Sequence, residues 1–233
     1  MRARDEFVAI AAHELRNPMT PILMQIDVLK RMMRNPSRYQ HATVAQRVEL
    51  LDSAIRQFVR RATNLLDVSR INTGNLKLSP ARMDVSAAVS EAVARLAPFA
   101  RLARCTINAQ VQPGIVACLD PLAVDQVIEN LLSNALKFGA GMPVDVTLAL
   151  LHDSAVLTIV DRGSGISPED QKRVFERFER AIGTREVGGF GIGLWLANQL
   201  VSAMGGKITV DSSPGQGSTF IVTLPHNAQD RSA

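Results

Sequence analysis

The chain has 233 residues, 46% of them hydrophobic and 21% charged, with a formal net charge of +4. That is the composition of a folded protein of one large or two modest domains, not of a disordered or fibrous chain. Lys and Arg are interspersed with Asp and Glu rather than run together, which argues against a nucleic-acid partner. No uninterrupted apolar run is long enough to cross a bilayer and no signal peptide opens the chain, so a cytoplasmic setting is expected. Cys105 and Cys118 lack metal-ligand and CxxC spacing and are read as structural thiols.

The first predicted helix runs from about Asp5 to Arg34. Val8, Ala11, Leu15, Ile22 and Leu29 share one stripe. His13 lies two residues from Leu15, roughly 200° around the helix, and so faces away from it. Glu14 is its neighbour, and Asn17 at i+4 shares its face. Pro18 and Pro21 cannot donate to the carbonyls of Glu14 and Asn17, so a bend is expected just below the histidine. By itself this window is equally compatible with a surface histidine on a kinked helix.

Asn35-Pro36-Ser37 breaks that helix, and a second opens near Thr43. Val44, Val48, Leu51, Ile55, Phe58, Ala62 and Leu65 are spaced alternately by four and three, which is a heptad seam. Two such helices form an antiparallel hairpin that cannot surround its own stripe. A homodimeric four-helix bundle would cover it; packing on the downstream domain is the alternative. Asn72-Thr-Gly74 ends the hairpin, Leu76-Lys-Leu78 reads as a short strand, and Pro80 marks the passage to a different texture.

Asp84 caps a predicted helix reaching Leu102. Cys105–Val111 and Val116–Leu119 read as strands, and Asp120-Pro121 opens a helix to Phe138. Val144–Leu151 and Ala155–Val160 read as a hairpin turning at His152-Asp153-Ser154. An irregular stretch spans roughly Gly163 to Gly191. A helix (Ile192–Met204), a strand (Lys207–Asp211), a turn at Pro214-Gly-Gln-Gly217 and a last strand (Ser218–Leu224) follow. The fold class is α+β, with helices covering one face of an antiparallel sheet. The expected domains are 1–75, a helical hairpin; 76–226, the α/β domain; and 227–233, a disordered tail.

Four spots in the second domain carry chemistry. Asn130, Asn134 and Lys137 share one helix face and can hold a hydrated cation and phosphate oxygens. Asp161-Arg-Gly163-Ser-Gly165 follows a strand; its carboxylate can accept from an exocyclic amine, and its glycines admit a ring close to the backbone. Phe175-Glu-Arg-Phe178-Glu-Arg180 enters the long irregular stretch. Gly188-Gly189-Phe-Gly191-Ile-Gly193 runs into a helix N-terminus, an anion site. It lacks both the Walker lysine and a surrounding βαβ unit. Taken singly, these spots fit a polar face, a tight turn or a loop.

In this order, the six motifs resemble the catalytic core of bacterial two-component sensor histidine kinases. His13-Glu14-Leu-Arg-Asn17-Pro is similar to their phosphoacceptor box, Asn130–Lys137 to their asparagine box, and Asp161–Gly165 to their first glycine box. Phe175–Phe178 is similar to the phenylalanine box, Gly189–Gly193 to the second glycine box, and Gly217-Ser-Thr219-Phe to the closing motif. The resemblance implies a dimerisation and histidine-phosphotransfer hairpin followed by a Bergerat-type ATP-binding domain. It implies that His13 is the nucleophile, Glu14 its acidic partner, and Asn17 the residue that orients water against a phosphorylated regulator.

It further implies that Asn134 ligands Mg²⁺ on ATP and that Lys137 and Arg180 neutralise phosphate. Asp161, with Gly163 and Gly165, would read adenine. Gly189, Gly191 and Gly193 would flank the triphosphate, and Thr219 would close the pocket. Asn130 stands where related ATPases carry a water-activating glutamate; an amide is no general base. The partners implied are a second copy and a response-regulator receiver domain. Phe190 and Gly139 depart from the family pattern without removing a reacting group. A degenerate ATP-binding dimeric module, a plain ATPase or chaperone, and a serine kinase of the same nucleotide fold are the rival classes.

Overall fold

The computed structural model describes residues 19–34, 41–72, 75–139, 141–177 and 191–226. The chain divides into two compact units, Met1–Leu76 and Lys77–Ala233. The described residues of the first form two helices, α1 (residues 19–34) and α2 (His41–Asn72). Met32 and Val68 are buried, but Val48, Ile55, Val59 and Leu66 on α2 and Met19, Leu23 and Met33 on α1 are exposed. The α2 set is spaced seven, four and seven, so it forms one side of the helix. His13, Glu14, Asn17 and the bend at Pro18 lie outside the described residues.

The second unit is a two-layer α/β sandwich. Its sheet has the order β2-β4-β5-β7-β6, with β2 (Ile107–Val111), β4 (Val144–Leu151), β5 (Ser154–Asp161), β6 (Lys207–Ser213) and β7 (Gly217–Pro225). All neighbours are antiparallel except β2 and β4, which run parallel. The sheet is therefore mixed rather than antiparallel throughout. The excursion between β2 and β4 is long enough for such a crossover, because it carries β3 (Val116–Leu119) and α4 (Pro121–Phe138).

Strand alternation fixes which face is covered. Ala155, Leu157, Ile159 and Asp161 on β5, and Ser218, Phe220, Val222 and Leu224 on β7, are all buried. The apolar members meet Val89 and Leu96 of α3 (Val85–Leu102), Val127 and Leu131 of α4, and Leu196 and Leu200 of α6 (Gly193–Ala203) in one core. Asp161 and Ser218 are the polar ends of that same face.

Both aspartate caps expected from sequence form. Asp84 accepts from Ala87 N at 2.9 Å. Asp120 accepts from Leu122 N at 2.9 Å and Ala123 N at 3.1 Å through Oδ1, and from Ser79 N at 2.7 Å through Oδ2. Asp120 thus caps α4 and also pins the chain that enters the domain. The β4–β5 loop has His152 at φ 46° and Asp153 at φ 60°, the two left-handed positions of a tight primed turn, where Asp is tolerated.

Two expectations change, and a third reading, of the two cysteines as structural thiols, stands beside them. Leu76–Leu78 alternates but has no strand to pair with and is irregular; the strand is β1 (Ala81–Asp84), after Pro80, antiparallel to β3. It is short and mostly exposed, so it carried no apolar signal. Within the stretch beginning at Gly163 there is a one-turn helix, α5 (Pro168–Gln171), capped by Ser167. Cys105 is buried and Cys118 half-buried, and both are free thiols. The tail 227–233 lies outside the described residues.

Candidate functional site: a buried carboxylate beneath two helix ends

The site begins with Asp161, the last residue of β5. Alternation along β5 sends its side chain to the core face, and it is only 4% exposed. The Gly163 N–H donates to its Oδ1 at 2.9 Å. The Ser218 backbone N–H and hydroxyl donate to it as well, and Ser218 is its register partner on β7. Burial pushes the Asp161 carboxyl above its ordinary value, and the three hydrogen bonds oppose the rise. A carboxylate offers about four acceptor positions. Among the described residues three are taken, which leaves one for an outside donor such as an exocyclic amine.

Glycines bring the neighbouring backbones onto this carboxylate. A Cβ on Gly163 would lie 1.8 Å from the Phe138 carbonyl oxygen, so the turn after β5 rests directly on the end of α4. On the other side, Gly217 at φ +85° lies so close to Asp161 that a Cβ would be 2.0 Å from its carbonyl oxygen. Gly165, at φ +66°, is pressed against Ser213 in the same way. The asparagine helix, the Asp-Gly turn and the β6–β7 turn therefore meet at one place.

On α4, Asn130 faces the start of α6. A Cβ on Gly193 would come within 3.4 Å of Asn130 Oδ1. The Asn130 Nδ2 is buried and has no hydrogen-bond partner among the described residues. A buried amide left so costs about 1–3 kcal/mol, which a polar ligand would recover. The helix beside it starts at Ile192 with no side-chain cap, after Gly191 at φ +65°. An uncapped helix start next to an orphaned amide fits an anion. Asn134 is half-buried on the same face, and Lys137 is exposed with its ammonium 4.7 Å from the Phe138 ring centroid. The Arg177 guanidinium lies 5.4 Å from the ring centroid of Trp195, joining the phenylalanine motif to α6.

Asn130, Asn134, Lys137, Asp161, Gly163, Gly165, Gly191 and Gly193 thus fall in one region of the sandwich. Arg180 and Gly189 lie outside the described residues. Thr219 does not join the site: it pairs with Val160, on the sheet face away from Asp161. Its place is taken by Ser218, 6% exposed. Counting by twos from the core residue Phe220 would have found it. Asn130 and Asn134 carry the neutral oxygens, and Lys137 the charge, expected of a site for Mg²⁺-bound polyphosphate.

A buried strand-end carboxylate beside the end of α4, with an orphaned amide at the uncapped start of α6, fits in its chemistry the exocyclic amine and the phosphates of a nucleotide. The model for the histidine kinase-, DNA gyrase B- and HSP90-like ATPases matches residues 119–228, and that for the His Kinase A (phospho-acceptor) domain matches residues 3–74. The alginate biosynthesis sensor protein KinB of Pseudomonas aeruginosa is 34% identical over 226 residues, 96% of this chain and 37% of KinB. The sensor protein EvgS of Escherichia coli (strain K12) is 31% identical over 96% of this chain and 19% of EvgS. The chain spans well under half the length of these relatives.

Among solved structures, the mycobacterial sensor histidine kinase MprB superposes with a TM-score of 0.57 at 28% identity, over 62% of this chain and 97% of that one. Full-length ShkA in complex with AMPPNP does so with 0.65 at 23% identity, over 95% of this chain and 45% of that one, a likeness of fold. The chain belongs to the sensor histidine kinase family, joining a phospho-acceptor domain to an ATPase domain of the histidine kinase type.

Proposed function

We propose that the chain uses ATP to phosphorylate its own His13 and passes the phosphoryl group to an aspartate of a response-regulator receiver domain. The observation that carries the nucleotide half is the Asp161 carboxylate, held by Gly163 and Ser218 with one acceptor position open. What supports the histidine half is the position of His13 in the segment similar to phospho-acceptor domains. The functional domains are 1–75 and 76–226.

Phosphoryl transfer is a matter of positioning and charge. The lone pair of neutral His13 Nε2 forms the bond to the γ-phosphorus. The bond from that phosphorus to the β–γ bridging oxygen breaks, and ADP leaves with its electron pair. An ordinary imidazole, with a pKa of about 6.5, is largely neutral near pH 7 and able to attack. Glu14 accepts from Nδ1–H and stabilises the cation formed. Asp161 reads the adenine amine, Gly163 and Gly165 shape the ring's floor, and Gly189, Gly191 and Gly193 line the phosphate end. Lys137 and Arg180 offset the triphosphate charge. Asn134 would hold Mg²⁺, which neutralises the phosphates when bound. Asn130 cannot serve as a base, so water is not activated there.

Asn17 orients water against the phosphorylated regulator, giving a phosphatase activity. The exposed stripe on α2 is covered by a second copy, making a homodimer, and the protein works in the cytoplasm. Incubation with γ-labelled ATP and Mg²⁺ tests the core of this reading. Label on the wild type, lost in acid and kept in base as a phosphoramidate is, and absent from His13→Gln and Asn134→Ala, is the expected result. Saturable ATP binding with no label would leave a nucleotide-gated dimeric module instead.

A further inference from the structure

The Asp161 turn carries glycines at positions 163 and 165, and glycine holds a backbone shape poorly. Something outside the turn must fix it if the Gly163 N–H is to stay on the carboxylate. Side chains on two other elements do so. The Ile166 N–H donates to Ser212 Oγ at 2.8 Å, and that oxygen lies 2.7 Å from the Gly217 carbonyl oxygen and 3.1 Å from Ser218 Oγ. The Gln171 Nε2 donates to the Ile166 carbonyl at 2.9 Å and to the Ser212 carbonyl at 2.7 Å. The Gly215 N–H closes the set on the Ser164 carbonyl at 2.7 Å.

Gln171 is the last residue of α5, and an amide NH₂ has two donors. Both are used, one on the Asp161 turn and one on β6. Gln171 thus brackets the turn against the strand that supports Ser218 through Ser212. The bracket ends on Ile166, three residues after Gly163, and on Ser212, the register partner of Ser218, so it steadies from both sides the two residues that hold the carboxylate.

We propose that Gln171, acting with Ser212, is a positioning residue that sets the adenine specificity of the site by holding the Asp161 turn on the β6–β7 turn. Gln171 touches no reacting atom; it acts through Gly163 and Ser218. The proposal rests on the adenine-nucleotide reading of the site. Its signature is selective: a loosened turn weakens ligands whose ring donates to Asp161 and spares ligands whose ring does not. Inosine diphosphate differs from ADP by a carbonyl in place of the 6-amino group, so it is the internal control.

The experiment measures Kd for ADP and for inosine diphosphate with the whole chain, by titration calorimetry, for wild type, Gln171→Glu and Gln171→Lys. Glutamate keeps the shape but faces two carbonyl oxygens with acceptors. Lysine restores donors. Loss of one hydrogen bond of about 1.4 kcal/mol corresponds to a factor of about ten. Gln171→Glu is therefore expected to weaken ADP about tenfold and inosine diphosphate less than about twofold, with Gln171→Lys recovering most of the ADP affinity. An unchanged ratio of the two Kd values in Gln171→Glu overturns the proposal, whether both ligands bind as before or both weaken together as from general destabilisation. Wild type that fails to favour ADP removes the adenine reading and this proposal with it; wild-type preference that survives in Gln171→Glu removes the proposal alone.

Discussion

Replacing Asp161 by Asn separates what this residue does for the fold from what it does for a ligand. The two side chains have the same shape. Asn can still accept from the Gly163 N–H through its oxygen, but its NH₂ then faces the Ser218 donors and any incoming amine. A hydrogen bond to a charged acceptor contributes about 1.5–3 kcal/mol, so ADP should bind roughly ten- to 150-fold more weakly. Stability should move the other way. The folded Asp161 carboxyl is raised above its ordinary value of 3.8 because it is buried, so the native state binds a proton more readily than the unfolded chain. In wild type this costs stability as pH rises from about 3.8 through the raised folded value, and the cost is fully present at neutral pH. Asn does not ionise and escapes it. Trp195, the chain's single tryptophan, lies on α6 of this unit, so its fluorescence follows the unfolding of the sandwich in urea. The expected pair of results is weak ADP binding by calorimetry with a urea midpoint at pH 7 equal to or above wild type, and a difference in midpoints that shifts toward wild type at pH 4. A variant that binds ADP within about threefold of wild type, or whose sandwich loses more than about 2 kcal/mol at pH 7, would refute the assignment of the carboxylate to the ligand.

Other consequences are as direct. Ser218→Ala removes a donor to Asp161 and should weaken ADP by roughly five- to tenfold, whereas Thr219→Ala, on the opposite sheet face, should leave the Kd unchanged in the same titration. Gly163→Ala puts a methyl group 1.8 Å from the Phe138 carbonyl oxygen, so the turn must leave α4; loss of ADP binding and a lower thermal midpoint are expected, while Gly215→Ala, with open space around it but φ +77°, should cost only about 1 kcal/mol in the melt. Ile55→Glu, at the centre of the exposed α2 stripe, should convert a dimer to a monomer in sedimentation equilibrium without altering ADP binding. Asn17→Ala should label with γ-labelled ATP as wild type does yet fail to dephosphorylate a phosphorylated receiver domain.

Much of the sandwich was legible because its signals are local. Asp84, Asp120 and the His152-Asp153 turn announce their elements within four residues, and each stands within one or two residues of where the pattern placed it. What the pattern missed depends on partners. β1 is a strand only because Val116–Leu119 lies alongside, and Leu76–Leu78 fails to be one for want of such a neighbour. The parallel pairing of β2 with β4 is likewise a property of the crossover, not of either strand.

The site divides along the same line, and Thr219 shows why. A motif written as Gly217-Ser-Thr219-Phe names residues by order in the chain, but a strand sorts them by parity, and only Ser218 shares the face of Asp161 and Phe220. Gln171 and Ser212 are further still from any pattern, since each acts on backbone atoms supplied by other segments. Residues that touch a ligand must be chemically distinctive and so stand out in a sequence. Residues that hold them need only a donor at the right distance, which many side chains provide. The legible part of this site is accordingly its chemistry. The hidden part is the bracket from α5 to β6 that keeps one carboxylate aimed, and its test is the ratio of two nucleotide affinities.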